Sequence, residues 1–372
     1  MLSSRPNGVK HIVDNVQRVA IIEPAPRSPR AALALERLVT SLPETASLPA
    51  TDCLIAAVTT PLTADLHPDH ARLAARTAAL MAAGCDGVAL FGTTGEGAEF
   101  SVADRMAGLE AVLASGIAPG RVIVSIGALA IPDVVALGRH AAGLGVAGTL
   151  LMPPCVYRRG ITEDGTFRYY ATVIEQAGPV GLGLHLYHFP DISGVPLTPA
   201  TIRRLDERFP GVVTGIKDSG GDADHTDMLS RRFSHLSIYT GNEIDVPQVM
   251  VAGARGTICG LANVMPRLMR AMLDQGTAFD RRQLVPLILA GDAALCRRPF
   301  IASVKAVLAD ATGERGWRRV LPPMAELPLI EEARLIADFR RWEAGLPAEW
   351  RSLYPAPAAE TASERVVALR RG

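Results

Sequence analysis

Short apolar runs alternate with amphipathic helical segments through most of this sequence, and that alternation limits the folds open to the chain. The runs are rich in β-branched residues, and segments of this kind that alternate with helices predict parallel strands joined as βα units. The eight runs extend over roughly 210 residues, close to the size of a (β/α)8 TIM barrel. A doubly wound open sheet is the alternative, but it requires a switch point and usually has fewer strands. The runs are Cys53–Thr59, Gly87–Leu90, Val122–Ser125, Gly148–Met152, Gly183–Tyr187, Val212–Lys217, Leu236–Thr240 and Gly256–Gly260.

The regions outside these runs have a different composition. Residues 1–50 are rich in proline and arginine and have no sustained periodicity, which predicts a partly disordered N-terminal arm. We assign residues 51–266 to the barrel, 267–350 to a C-terminal helical extension and 351–372 to a tail. Within the extension, the pattern predicts helices over Phe279–Cys296, Phe300–Ala311 and Glu331–Gly345.

The bulk composition excludes several classes of protein. Formal net charge is zero and the sequence pI is about 7.1, so neither nucleic acid nor an anionic membrane surface is an expected partner. No apolar run approaches the roughly 18 residues of a membrane helix. The five cysteines are widely spaced and form no Cys-x-x-Cys motif. Free thiols in a reducing compartment follow, so we expect a cytoplasmic protein.

One lysine is unusual in a chain that otherwise uses arginine. There are three lysines, Lys10, Lys217 and Lys305, against 35 arginines. Arginine stays protonated, whereas a buried lysine can lose its proton, and only the free amine attacks a carbonyl. Lys217 ends an apolar run and is followed by Asp, Ser and Gly, which predicts an amine at the lip of a loop. A strand-end lysine that merely extends its amine to solvent is the alternative.

In a barrel of this kind, catalytic groups lie where strands end and βα loops begin. Those positions here supply one amine (Lys217), one phenol (Tyr187) and paired hydroxyls, without the His/Asp/Glu cluster that a metal-dependent aldolase needs. We therefore expect no metal site and no cofactor. The loop Gly92-Thr93-Thr94-Gly95-Glu96-Gly97 matches no phosphate-binding motif, and beside a lysine it suits a carboxylate better.

The two-residue period of a strand predicts which side chains enter the barrel. If Lys217 points inward, Gly215 and Val213 do so as well. An inward Tyr187 takes His185 with it and leaves the next histidine, His188, facing the helices. His185 is then expected to be a hydrogen-bonded residue of the barrel interior, and the two histidines are not expected to share a metal ion.

Four ordered motifs resemble the dihydrodipicolinate synthase / N-acetylneuraminate lyase family: Gly92-Thr93-Thr94-Gly95-Glu96, Leu186-Tyr187-His188-Phe189-Pro190, Gly215-Ile216-Lys217-Asp218 and the run from Gly256 to Pro266. The resemblance covers about residues 52–325. It implies a (β/α)8 barrel with a C-terminal helical extension, a homotetramer, and class I aldolase chemistry on pyruvate or a related 2-keto acid.

By the same resemblance, Lys217 forms the Schiff base, Tyr187 is the acid/base and Thr93 is its relay partner. Thr94 holds the keto acid's carboxylate together with neighbouring backbone N–H groups, including that of Gly95. The remaining substrate-binding positions that it implies are Gly241, Asn242, Glu243, Ile258 and Tyr157.

Two departures from the family pattern affect the second substrate. Synthases that make dihydrodipicolinate carry an arginine after the strand-five tyrosine, where this chain has Ile192. The family's second tyrosine, on the strand-four loop, falls near Cys155, which leaves Tyr157 open as its replacement. We therefore expect a lyase or aldolase acting on a 2-keto (sugar) acid. The alternatives are 4-hydroxy-tetrahydrodipicolinate synthase, a 2-keto-3-deoxy sugar-acid dehydratase and a non-catalytic keto-acid-binding barrel.

Overall fold

The computed structural model describes residues 47–158 and 160–352. Nearly all of the predicted N-terminal arm and of the predicted tail, together with Arg159, lies outside these residues. No helix in the described part of the chain is long and apolar enough to cross a membrane.

Eight parallel strands form a closed barrel in chain order, which confirms the predicted (β/α)8 fold. Each strand pairs with its sequence neighbours, and the last pairs with the first through registers such as Ile55 opposite Ile258. Predicted and observed ends differ by at most two residues, and those of β2 and β3 coincide. The strands are β1 Cys53–Ala57, β2 Gly87–Leu90, β3 Val122–Ser125, β4 Gly148–Leu151, β5 Leu184–His188, β6 Val213–Asp218, β7 Ser237–Thr240 and β8 Gly256–Cys259.

Helices follow the strands and cover the outside of the barrel. Those of the barrel are α1 His70–Ala82, α2 Val102–Ala114, α3 Ile131–Gly143, α4 Glu163–Ala177, the short α5 Pro190–Ser193, α6 Pro199–Arg208, α7 Ala223–Arg232, the short α8 Val246–Val249 and α9 Pro266–Leu273. Local sequence sets several of the starts: the Ser101 hydroxyl accepts the Asp104 N–H at 3.1 Å, and the Thr198 hydroxyl accepts the Thr201 N–H at 3.2 Å.

Three further helices form the C-terminal extension. They are α10 Ala278–Cys296, α11 Phe300–Thr312 and α12 Leu329–Ala344, close to the three predicted segments. The sequence pattern did not separate α9, the helix that follows β8. Its eight residues are short for a periodicity argument, and three methionine or leucine side chains of it are fully buried, namely Leu268, Met269 and Met272.

Strand side chains divide into two apolar cores because alternate residues face opposite sides. One core fills the barrel and the other lies between strands and helices; the barrel core consists of Cys53, Ile55, Ala57, Ala89, Ile123, Leu150, Tyr187, Tyr239 and Ile258. His185 joins the interior as predicted, with its ring 5.9 Å from that of Tyr239 and its Nδ1–H donating to the Gly183 carbonyl at 3.1 Å.

The predicted inward position of Val213 is wrong. Val213 packs in the outer core beside Ile216, because the β5–β6 register shifts between Leu184 and His185. Leu184 pairs with Val213 while His185 pairs with Gly215, so β6 gains one residue and its alternation changes side there. From Gly215 onward the parity is as predicted. Lys217 therefore still points into the barrel mouth.

Candidate active site

Lys217 and Tyr187 are paired neighbours at the carboxyl ends of β6 and β5. The Lys217 ammonium nitrogen lies 4.4 Å from the centre of the Tyr187 ring, and only 6% and 4% of the two residues is exposed. Gly215 lies below Lys217 on the same strand, where its missing side chain leaves space for the His185 ring. A buried amine therefore stands beside a phenol at the mouth of the barrel.

Thr93 brings a hydroxyl to the same phenol. Its Oγ1 lies 3.4 Å from the Tyr187 hydroxyl, at the long end of hydrogen-bond distances, and either oxygen can donate. Thr93 belongs to the loop after β2, so the pair joins that loop to the carboxyl end of β5. The two oxygens can pass a proton between them.

The β2 loop divides its residues between the cavity and its own turn. The Gly95 N–H donates to the Gly92 carbonyl at 3.0 Å, and the Gly95 carbonyl accepts the Thr60 hydroxyl at 2.7 Å. Gly95 therefore shapes the turn and does not line the cavity, so its amide is not free to bind a carboxylate. Within the described part of the chain, the backbone N–H groups of Thr93 and Thr94 donate to no carbonyl.

The loop after β7 supplies the other polar groups. Gly241 passes so close to Lys217 that a Cβ there would lie 3.2 Å from Lys217 Cε. The Glu243 carboxylate accepts the Leu261 N–H at 3.0 Å. Burial holds the pKa of this carboxyl above its ordinary value, although the Leu261 hydrogen bond and the charge of Lys217 act against the shift. The Asn242 amide donates to Asp245 at 2.8 Å.

A cavity of about 550 Å³ opens above these groups. Most of the predicted site residues lie on its wall: Lys217, Tyr187, Thr93, Thr94, Gly241, Asn242, Glu243 and Ile258. Gly95 and Tyr157 do not. The Tyr157 side chain is on the surface, where 72% of the residue is exposed.

Part of the wall comes from the C-terminal extension and its connections, which strand-end positions do not predict. These residues are Asp292, Cys296, Pro299, Phe300, Ile301 and Met324. They lie on or beside helices that pack over the barrel mouth, so a strand-end rule does not reach them. Ser219, directly after β6, also lines the cavity and was not among the predicted site residues. Phe300, the first residue of α11, offered no signal other than the preceding proline.

His188, Asp218 and His225 place their potential ligand atoms within 4.8 Å of one another, the one such group in the described part of the chain. His188 and Asp218 leave their strands toward the helices, so the cluster lies on the side opposite to the Lys217 amine. Each group already has a partner: His225 Nδ1 lies 2.7 Å from Asp218, and His188 Nδ1 accepts the Leu197 N–H at 3.1 Å. Hydrogen bonding to Asp218 raises the pKa of His225, whereas burial lowers that of His188.

Known proteins are similar to this chain in both sequence and fold. A family model described as the dihydrodipicolinate synthetase family matches residues 50–336. An uncharacterized DapA-like lyase of Chloroflexus aurantiacus is 36% identical over 222 residues, which cover 59% of this chain and 73% of that protein. A 4-hydroxy-tetrahydrodipicolinate synthase of Azoarcus is 30% identical over 73% of this chain and 92% of its own.

The crystal structure of dihydrodipicolinate synthase from Agrobacterium tumefaciens has the same architecture. It superposes with a TM-score of 0.71 at 30% sequence identity and covers 78% of this chain and 99% of its own. The family match extends from the N-terminal end of the barrel into α12. The chain therefore belongs to the dihydrodipicolinate synthetase family of lyases and aldolases.

Proposed function

We propose that this protein forms a Schiff base between Lys217 and pyruvate or a related 2-keto acid. By this imine it catalyses reversible cleavage and formation of a C–C bond in a 2-keto acid. The observation that carries the proposal is the pairing of Lys217 with Tyr187, whose ring lies 4.4 Å from the amine and whose hydroxyl lies 3.4 Å from Thr93. An amine, a phenol and a hydroxyl in one enclosed place are what imine chemistry needs.

Each group has a definite step. The Lys217 amine attacks the keto carbon, and the carbinolamine oxygen leaves as water once it has received two protons. The protonated imine then withdraws electrons from the adjacent carbon, so that a C–C bond to that carbon can break or form. Tyr187 delivers and removes protons at the former carbonyl oxygen, and Thr93 hydrogen-bonds to its hydroxyl, which favours that exchange.

Thr94 and the amides of Thr93 and Thr94 are the groups proposed to bind the keto acid's carboxylate. Backbone N–H groups that have no carbonyl partner suit an anion. The Thr94 hydroxyl lies near β8: a Cβ at Gly260 would be 3.4 Å from it. The carboxylate would then be held beside the loop after β8, with the keto carbon above Lys217.

Ile192 is the reason to prefer a lyase or aldolase over a dihydrodipicolinate-forming synthase. It lies on the cavity wall in α5, at the position where the resemblance expects an arginine. Without that guanidinium, the carboxylate of an amino-acid semialdehyde has no partner there. Because several relatives are named 4-hydroxy-tetrahydrodipicolinate synthase, that activity is the second candidate. A coupled assay comparing aspartate semialdehyde with a panel of 4-hydroxy-2-keto acids, sugar acids among them, separates the two, and fast turnover of the semialdehyde would favour the synthase.

Borohydride reduction in the presence of pyruvate, followed by peptide mass spectrometry, tests the imine. We expect an adduct on the Lys217 peptide and none on Lys305, which is fully buried beside Glu96 and serves as an internal control. Lys217→Arg should preserve the fold and abolish the adduct, because a guanidinium forms no imine. Absence of the Lys217 adduct in the unaltered protein would refute the proposal.

We also propose a homotetramer, on the strength of the family resemblance. Large apolar side chains are exposed on the loops after β3 and β4, including Leu129 at 68% and Val156 at 56%, which supports burial against another copy. Light scattering on the purified protein would show a mass four times that of one chain, and a monomeric mass would exclude the assembly.

A further inference from the structure

The cavity is much larger than the keto acid proposed to occupy it. Its volume is about 550 Å³, whereas the six heavy atoms of pyruvate fill roughly 100 to 150 Å³ at the packing of a liquid. The remaining space extends from Lys217 toward the C-terminal extension. A second reactant has room there, and the surrounding wall determines its chemistry.

Much of the lining of that space is apolar. Phe189 packs on Tyr187, with 5.9 Å between ring centres, and Phe300 stands by the end of β8 so closely that a Cβ at Gly260 would lie 2.8 Å from its ring. Ile192, Ile301 and Met324 also line the cavity. Apolar lining of this extent stabilises a ligand by removing apolar surface from water, roughly 25 cal/mol per Å².

Apart from Lys217, the charged groups of the lining are carboxylates. Among the described residues that line the cavity, Glu243 and Asp292 are the acidic ones and Lys217 is the cationic one. Asp292 also accepts from the thiol of Cys296, one turn further along α10, at 3.0 Å. Lys217 faces the keto acid, so an anionic tail beyond it would approach two carboxylates without a counter-charge. Such a placement is unfavourable because like charges repel strongly where water is partly excluded.

We infer that the second reactant is an uncharged aldehyde with an apolar body, and that Ile192 and Asp292 select against aldehydes carrying a carboxylate. The inference rests on the proposed imine chemistry and specifies its substrate class. Ile192 acts by offering the anion no positive charge, and Asp292 acts by presenting a negative charge in the same cavity.

The reaction balances in both directions. In condensation, the imine loses a proton from the carbon next to it, and the resulting enamine carbon attacks the aldehyde carbon to form the new C–C bond. The aldehyde oxygen takes up one proton and becomes a hydroxyl. Water then hydrolyses the imine, replacing the water released when it formed, and yields a 4-hydroxy-2-keto acid. Cleavage is the reverse and releases the neutral aldehyde.

Matched pairs of aldehydes that differ by one carboxylate test the inference. With pyruvate as donor, kcat/KM is measured for benzaldehyde against 4-formylbenzoate and for butanal against 4-oxobutanoate; glyceraldehyde serves as a neutral but hydroxylated probe. We expect each neutral partner to exceed its anionic match by about tenfold or more, the scale on which pocket contacts discriminate. Equal or better use of either anion would overturn the charge selection. A kcat/KM for glyceraldehyde more than about tenfold above that of both apolar aldehydes would overturn the inferred preference for an apolar body.

Two variants test whether Ile192 and Asp292 are the residues that disfavour anionic aldehydes. Ile192→Arg and Asp292→Asn should each narrow the neutral-to-anionic ratio, Ile192→Arg by about tenfold or more. The matched control is Ile330→Arg, which adds the same charge on α12 at a residue that is 65% exposed and does not line the cavity. An unchanged ratio in both cavity variants would remove these residues from the selection.

The borohydride experiment distinguishes failure of the inferred substrate class from failure of the proposed imine chemistry. If pyruvate is trapped on Lys217 but the anionic aldehydes are preferred, the imine chemistry stands and the substrate class is wrong. If no adduct forms on Lys217, the proposed function itself fails and the inference fails with it.

Discussion

The ammonium group of Lys305 and the carboxylate of Glu96 form an ion pair in which neither side chain is exposed. Glu96 also accepts the Leu321 N–H at 2.7 Å, and Lys305 donates to the Arg319 carbonyl at 2.8 Å. The pair therefore joins the loop carrying Thr93 and Thr94 to α11 and to the segment that follows it. Glu96 holds a left-handed backbone conformation, with φ of 56°, so the loop is fixed in a shape that a free segment would seldom adopt.

Lys305→Met should destabilise the protein by about 3 to 5 kcal/mol, because it leaves the Glu96 carboxylate buried without its partner. The double variant Glu96→Gln/Lys305→Met removes both charges and should recover part of that loss. Urea unfolding at neutral pH measures both effects. Asp338→Asn is the control: it breaks the exposed pair with Arg341, whose side chain is 77% exposed, and should cost less than about 1 kcal/mol. A Lys305→Met loss no larger than the control would contradict a tightly coupled pair.

Lys217 and Lys305 are equally rare lysines, and position distinguishes them. Lys217 lies at a strand end, and strand ends of a barrel meet at one face, so its closeness to Tyr187 could be predicted from order alone. Lys305 lies in a predicted helix of the extension, away from the strand ends. Its partner Glu96 could not be predicted, since that contact depends on how α11 packs across the barrel mouth.

The same limit explains the errors at Val213 and at the cavity wall. Strand parity is a property of one strand, whereas the bulge that turns Val213 outward arises from its register against β5. Likewise, Phe300 and Asp292 reach the cavity through helix packing, which no local pattern specifies. Glycine in the loop Gly92–Gly97 was expected to bind a carboxylate, but at Gly95 the backbone closes its own turn.

Removing the phenol should slow turnover far more than it weakens binding of the keto acid. For Tyr187→Phe we expect a loss in kcat of about 10²- to 10⁴-fold, the range for a positioned acid/base. Thr93→Val removes one hydrogen bond to that phenol and should cost about tenfold. The double variant should cost little more than Tyr187→Phe alone, because Thr93 acts through Tyr187. Tyr169→Phe, which alters a tyrosine that does not line the cavity, is the control. Fully additive losses in kcat would show that Thr93 does not act through Tyr187.

Gly241→Ala should slow imine formation without unfolding the protein. The added Cβ would overlap Ser219 Oγ and lie 3.2 Å from Lys217 Cε, so Ser219 must turn away and the lysine side chain must shift slightly. Because misplacement by about 1 Å costs about 10²-fold in rate, this smaller shift should cost about tenfold, which the initial rate of borohydride trapping with pyruvate would report. Gly143→Ala, at the end of α3 with nothing within 4 Å of its new Cβ, is the matched control. Trapping by Gly241→Ala at the unaltered rate would show that the loop yields instead.

Chelation should leave the reaction unchanged. The cluster of His188, Asp218 and His225 faces the helices. The protonated imine proposed at Lys217 would supply the electron withdrawal that a metal supplies in other aldolases. Turnover of a 2-keto acid is measured before and after dialysis against EDTA, with apparent unfolding temperature as a second readout. Strong loss of activity that added zinc restores would assign a metal to the mechanism.

Acid should weaken the fold partly through His185. Burial lowers its pKa from 6.5 to about 4. Between pH 6.5 and pH 4 the unfolded chain therefore binds a proton at His185 that the folded chain does not bind. The free energy of unfolding therefore carries no penalty from His185 above pH 6.5 and falls as the pH is lowered from 6.5 to 4. Over that interval the loss is about 3 kcal/mol, at 1.36 kcal/mol per unit of pKa.

His185→Gln removes this titration, so the free energy of unfolding should fall less steeply between pH 7 and pH 4.5 than in the unaltered protein. Urea unfolding at both values gives the difference directly, and it cancels any pH-independent cost of the substitution. His235→Gln is the matched control, because it makes the same substitution at a side chain that is 58% exposed and outside the barrel interior. An identical slope in His185→Gln and the unaltered protein would show that His185 binds its proton equally well in the barrel interior and in the unfolded chain.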